Sequence, residues 1–343
     1  MTPVEDGERR GRLTSQLARN VANFREITII VLLLVLIVAV GLESPRFLSG
    51  ANIRSVFLAI SILLVLAVGE LVVMLGRNFD LSIGSTVGLS AMAVGMIFKN
   101  HPGMSSILAF AIAMAIGMAV GLLNGILIAY LRIPSIILTL GMLSVVSGFI
   151  YIVANGDQVD PTYVPSRFVA ISITSAVGIP GIVIIAFVFA AAVSVALRWT
   201  RLGRSVFALG SNPDAAVLQG LPVRRLVIAS FVVSGAAAGL AGAIYLSEFV
   251  LVNVTAGAGL ELQAITAVVV GGASIFGGAG SVLGTTISCI MLGAMTNAFA
   301  VLGLSTFWQD TAYGALLLLA VIVNAMTRRL QDSRALVRPE LTL

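Results

Sequence analysis

Ten separate apolar runs, at residues 27–42, 54–75, 81–98, 106–131, 134–154, 172–197, 226–247, 260–276, 280–302 and 311–326, leave little of this chain for anything else. A helix needs roughly 20 apolar residues to cross a bilayer, where no water is present to satisfy stray backbone groups. Of the 343 residues 59% are apolar and only 10% charged, with a mean hydropathy of +1.08. That composition excludes a soluble enzyme. The expected fold is an all-α polytopic membrane protein with about ten transmembrane helices. With 35 glycines and only 7% aromatic residues, the helices should approach one another closely.

The charges give the orientation. With the N-terminus in the cytoplasm, 16 of the 20 Lys and Arg residues fall on inner segments, and only Arg46, Arg54, Lys99 and Arg167 fall outside. Basic residues near span ends resist translocation, so this partition puts both termini in the cytoplasm. The net charge of +5 and the pI near 10 therefore record topology, and no nucleic acid is expected as a partner. Glu43, Asp157, Asp160, Glu248 and Glu261 are assigned to the outer side. The expected organisation is a cytoplasmic segment at 1–26, a transmembrane domain at 27–326 and a cytoplasmic tail at 327–343. The first run could pass for a secretory signal, but its long polar lead and the nine later runs favour a retained helix.

Residues 198–225 form the longest inner connection. Within it Asn212 can cap a helix, Pro213 suits its first position, Asp214 complements its positive end, and Gly220 with Pro222 ends it. The expected product is a helix of about two turns with Ala215, Ala216 and Leu218 on its apolar side and Arg201, Arg204, Arg224 and Arg225 at its flanks. It either connects two spans, its arginines touching anionic membrane lipid, or docks a soluble partner.

A second unusual stretch is GRNFDLSIGSTVG at 76–88. Arg77 and Asp80 stand three residues apart, a helical spacing that suits pairing. Alternatively they mark the inner end of the second span. Glu70 lies deeper than any other carboxyl group and must face a helix neighbour or a polar path, since a charge at a span centre costs about 2.5–3.5 kcal/mol. Glu70, Asn78, Asp80 and Ser82 are the candidates for a translocation path.

The third stretch, VVVGGASIFGGAGSVLG at 268–284, has six glycines in 17 positions. It suggests two short helices meeting at a turn, or a very close crossing. An internal repeat could be read by setting 72–88 against 268–284, or as inverted halves by setting 80–92 against 253–265. Both registers stay open.

Other chemistries lack their residues. The only lysine, Lys99, precedes Asn100, so there is no phosphate-binding P-loop and no ATP site of the chain's own. One histidine, His101, and one cysteine, Cys289, supply neither a catalytic triad nor a metal centre; Cys289 reads as a packing residue. A carboxyl at Glu70 or Asp80 could carry a coupling proton in a secondary transporter, which is the alternative function.

Four segments in order resemble the permease subunits of bacterial ABC importers for ribose and related monosaccharides: GRNFDLSIGS, LLNGILIAYLRIPSIILTLGML at 122–143, GRSVFALGSNPDAAVLQGLPV, and GAGLELQAITAVVVGGASIFGGAGSVLG. Asp214, Ala215, Ala216 and Gly220 also resemble the start of the EAA loop of importer permeases, although Leu221 and Pro222 follow without the usual longer spacing. NFREIT, RNFDLS and FWQDTAYGALLLLAVIV look most like permeases for the autoinducer furanose and for rhamnose. The resemblance implies a transport subunit of the bacterial inner membrane that works by alternating access. It implies a cytoplasmic ABC ATPase dimer holding ATP and Mg, a periplasmic sugar-binding protein and a second permease chain, identical or a sister. This chain would bind no cofactor. The coupling residues would be Asn212, Pro213, Asp214, Ala215, Ala216 and Gly220, and the binding protein would dock on outer loops including 155–170 and 248–260.

Overall fold

The computed structural model describes residues 29–173, 175–176 and 178–336. Residues 1–28, which include the segment at 1–26 with its arginines and all of NFREIT, and the end of the tail after Leu336 lie outside them. Thirteen helices follow in order among the described residues: α1 (Ile29–Glu43), α2 (Gly50–Leu75), α3 (Ile83–Asn100), α4 (Ser106–Leu131), α5 (Ser135–Ala154), α6 (Ser166–Ile173), α7 (Gly181–Trp199), α8 (Arg201–Ser211), α9 (Pro213–Leu218), α10 (Val223–Phe249), α11 (Leu260–Val270), α12 (Val282–Val301) and α13 (Thr306–Leu336). The chain is all-α in architecture. One two-residue hairpin, β1 (Ser175–Ala176) with β2 (Ile179–Pro180), leads into α7.

Seven of these helices are long and apolar enough to cross a membrane: α2, α4, α5, α7, α10, α12 and the Phe307–Met326 part of α13. The run at 260–276 does not give a full span. Gly271 and Gly272 end α11 after 11 residues, about 16 Å of helix and roughly half a bilayer. Of the expected pair of short helices only the first is short: a glycine turn joins it to the 20-residue α12, and that turn is a close crossing. A Cβ on Gly271 would come within 2.7 Å of Thr285 Cα in α12.

α2 is the central column. It is apolar on every side, which only a helix surrounded by others tolerates in a folded chain, and 83% of its apolar window is buried. Ser49 caps its start through Asn52 N–H. Helices α7, α10, α11 and α12 pack around it. α4 lies across α10 through a glycine seam: Gly117, Gly121 and Gly125 sit one turn apart, facing Ile228, Phe231, Gly235 and Gly239. A Cβ on Gly117 would overlap the carbonyl oxygen of Gly235, and one on Gly121 that of Phe231. Backbones meet there without intervening side chains, as small residues allow in membrane helices. Cys289 is fully buried in α12 among the core residues, consistent with a packing role.

α2 and α11 end alike. The N–H of Asn78 bonds Val73 O at 3.2 Å, and the N–H of Ala273 bonds Val268 O at 3.1 Å. Arg77 (φ 65°) and Gly272 (φ 91°) occupy the equivalent left-handed position just before. This is the glycine-type helix stop, once built with glycine and once with arginine.

Candidate functional site

The break between α2 and α3, residues 76–82, does not continue the helix. After Leu75 the chain turns back along α2, until Asp80 N–H reaches Glu70 Oε1 at 3.1 Å. The Asp80 carboxylate then accepts from Ser82 N–H (3.1 Å) and Ser82 Oγ (2.6 Å) on one oxygen, and from Ser234 Oγ of α10 (3.1 Å) on the other. Asn124 of α4 donates to Ser82 Oγ at 2.9 Å. Phe79 N–H bonds Ser135 Oγ of α5, and Thr139 Oγ1 of α5 bonds Phe79 O. One buried polar cluster thus joins α2, α4, α5 and α10 across the break. Glu70, Asp80, Ser82, Asn124 and Ser234 are all buried, where polar groups cost least when they satisfy one another.

Of the path candidates, the structure brings Glu70, Asp80 and Ser82 into this cluster. Asn78 stays at its edge, its side-chain amide turned back on Gly76 O. Asn124 and Ser234 were not singled out in the sequence. Asn124 is the lone polar group on its stretch of apolar helix, a recognisable signal, but its partner lies 42 positions away. Glu70 Oε2 and Asn124 Oδ1 are buried without a protein partner. Glu261 lies against the first turn of α3, where a Cβ on Gly84 would overlap its carboxylate.

The expected Arg77–Asp80 pair does not form. Helical spacing applies only inside a helix, and α2 stops at Leu75. Arg77 turns the other way: Nε donates to Gly210 O at 2.6 Å and Nη2 to Ser211 O at 3.1 Å, both at the C-terminal end of α8.

The connection 198–225 holds two helices, not one. α8 starts at Thr200, whose hydroxyl accepts from Gly203 N–H, and it buries Val206 and Leu209. The charged Arg201 and Arg204 disguise this amphipathic turn as loop. α9 follows as anticipated, with Asn212 Oδ1 accepting from Ala215 N–H at 3.0 Å, Pro213 in the first turn and Gly220 at φ 73° beyond it. Its faces differ from the expected ones. Ala216 is buried against the chain's own core, whereas Val217 is 62% and Leu218 88% exposed.

At the other end, the two outer loops expected to act together do meet: Val159 and Val252 form an antiparallel bridge. Beside it Lys99 Nζ bonds Asp157 Oδ2 at 2.5 Å and stands 4.8 Å over the Tyr163 ring. The Lys99 hydrogen bond holds the Asp157 carboxyl below its ordinary range, helped by Gln158 N–H. The Thr162 N–H and hydroxyl do the same for Asp160. A depressed carboxyl pKa contributes stability that is present above the unfolded value of about 3.9 and is lost as pH falls through the folded one. Asp157→Asn should therefore lower thermal stability slightly at pH 7, with the difference shrinking as pH falls below about 4 and reduced by salt. An equal difference at both pH values would contradict this account of the loop.

No group of three or more His, Cys, Asp or Glu residues suited to a metal is present among the described residues. A cavity of about 660 Å³ between α2 and α7 is lined by apolar residues with Arg54 at its edge, and it lacks the converging polar groups that a sugar needs.

Residues 52–324 match the family model described as "Branched-chain amino acid transport system / permease component". The chain is 32% identical over 303 residues to the autoinducer 2 import system permease protein LsrC of Escherichia coli O157:H7, covering 88% of this chain and 87% of that protein. It is 36% identical over 307 residues to the L-arabinose ABC transporter permease protein AraH of Azospirillum brasilense, with the same coverage. The LsrC of Yersinia pseudotuberculosis serotype O:1b is 33% identical over 308 residues, 90% of this chain and 87% of that one. No solved structure matches.

Proposed function

The chain belongs to this family of transport-system permease components, and from that premise we propose that it carries a monosaccharide or sugar-like signal molecule across the bacterial inner membrane by alternating access. Ten crossings with both termini inside remain the preferred topology. Seven helices meet the length and hydropathy requirement, α1 and α3 are shorter apolar helices that add to them, and the 260–276 run enters through α11 and its glycine turn, which together reach only part of the way. The distribution of Arg and Lys supports the orientation.

One observation carries the assignment of the working end. Between α7 and α10 the chain builds a capped two-helix elbow whose last turn presents Val217 and Leu218 outward, while Ala216 anchors it inward. Two adjacent apolar side chains held on a rigid turn suit a groove on a soluble partner. That partner is the ATPase subunit, which supplies the ATP and Mg chemistry this chain lacks the residues to perform. Asn212, Pro213, Asp214 and Gly220 shape the elbow, and Val217 and Leu218 are its contact face. The paired loops at Val159 and Val252 are the docking platform for the substrate-binding protein, and a second permease chain completes the complex. Substrates in the chemical range of autoinducer 2 and arabinose are the ones to try first, by analogy with the relatives. Glu70, Asp80 and Ser82 serve chiefly to hold the break in place, since their polar groups bond largely to each other.

Detergent extraction with the subunits co-expressed tests this reading. The ATPase subunit should stay with the permease, and its hydrolysis should rise when the loaded binding protein is added. A permease recovered alone, with hydrolysis indifferent to the binding protein, would refute it.

A further inference from the structure

At the junction of α2, α8 and the glycine turn after α11, beside the Gly278 bonds to Leu75 and Ser211, stands one side chain in an unfavourable backbone position. Arg77 has φ 65°, a left-handed conformation that a residue with a Cβ rarely adopts. Its counterpart after α11 is Gly272, the residue usual there. An arginine in that position calls for a reason, and its bonds supply one. Its guanidinium satisfies the carbonyls of Gly210 and Ser211, which end α8 and have no partner further along that helix. It also places a positive charge at the negative end of the α8 dipole.

The approach is built from small residues. A Cβ on Gly210 would overlap Leu75 O, and one on Gly277 would overlap Arg77 Cγ. Gly278 N–H bonds Leu75 O at 3.0 Å. The very next residue after Ser211, Asn212, caps α9. Three residues after Arg77, Asp80 bonds α10 through Ser234 and abuts Glu70 of α2. A continuous set of short contacts therefore runs from the exposed elbow to the end of α2, by Ser211 and Gly278 to Leu75 and by the Arg77 guanidinium, and only the second leads on along the chain into the buried break.

We propose that Arg77 is the positioning residue that passes displacement of the α8–α9 elbow to the break between α2 and α3. The proposal rests on the reading of that elbow as the ATPase contact. Arg77→Gly separates a transmission role from a merely structural one, because glycine relaxes the left-handed backbone and copies Gly272. In the reconstituted complex the variant should assemble, keep basal ATP hydrolysis and melt within a few degrees of the parent. Uptake, and the stimulation of hydrolysis by the binding protein, should fall about tenfold, within the usual 5–150-fold range of coupling between sites. Arg77→Lys should be intermediate, since an ammonium keeps the charge without the two-pronged geometry.

Normal uptake by Arg77→Gly would overturn the proposal. So would a loss of uptake matched by an equal loss of assembly and melting temperature in both Arg77→Gly and Arg77→Gln. Failure of the underlying reading looks different: the parent chain itself would retain no ATPase subunit.

Discussion

Leu218→Asp is expected to abolish ATP-driven uptake while leaving the chain in the membrane at its normal level. Leu218 is 88% exposed, so nothing in the fold depends on it, and exposed substitutions of this kind change stability by only about 0.5 kcal/mol. At an interface the same change removes an apolar anchor and buries an unpaired charge. Truncating a central contact costs about 2 kcal/mol or more, which corresponds to roughly thirtyfold in the population of assembled complex. Retention of the ATPase subunit in detergent and uptake in vesicles should therefore fall together, and Val217→Asp should act alike. Ala216→Arg would be the less informative substitution, because Ala216 is buried in the core and an arginine there would unseat α9 before meeting any partner. Full uptake by Leu218→Asp would remove the contact face from the account.

Gly121→Leu should have the largest effect on the fold itself. The new Cβ would overlap the Phe231 carbonyl and come within 3.1 Å of Gly235 Cα. Backbone cannot move aside as a flexible side-chain tip can, so α4 and α10 would have to separate along the Gly117–Gly121–Gly125 seam. Overpacking of a tight core costs about 1–3 kcal/mol and at times more, and α10 also carries Ser234, one of the anchors of the Asp80 carboxylate. The variant should lose most of its monodisperse yield in detergent, with a lowered melting temperature in what remains. Gly141→Leu on α5, where a Cβ meets nothing within 4 Å, is the control and should behave as the parent. Equal behaviour of the two variants would show that the α4–α10 seam is not a close contact.

What could be read from the residues followed from how local the cause was. The Asn212–Pro213 cap, the glycine stop beyond α9 and the interruption of the 260–276 run were legible because each depends on neighbouring residues. The direction of Arg77 was not, because the spacing rule that pairs it with Asp80 presupposes a helix that ends at Leu75. α8 was hidden because Arg201 and Arg204 at its start look like loop, although Leu202, Val206, Phe207 and Leu209 carry helical spacing. Which side of α9 faces out was equally hidden: on a six-residue helix of small and apolar residues, periodicity cannot say whether Ala216 or Leu218 meets the core. Asn124 was visible as a lone polar residue, but its bond to Ser82 belongs to the tertiary fold.

Uptake into proteoliposomes tests the central claim most directly. The purified permease is reconstituted with its ATPase and binding protein, with labelled arabinose and autoinducer 2 among the solutes offered, and the energy source is varied. Accumulation that requires ATP on the ATPase side and the binding protein on the other, and that is indifferent to a pH gradient, is the predicted result. Uptake by the permease alone, driven by a proton gradient and abolished by Glu70→Gln or Asp80→Asn, would instead establish a proton-coupled transporter and contradict the account.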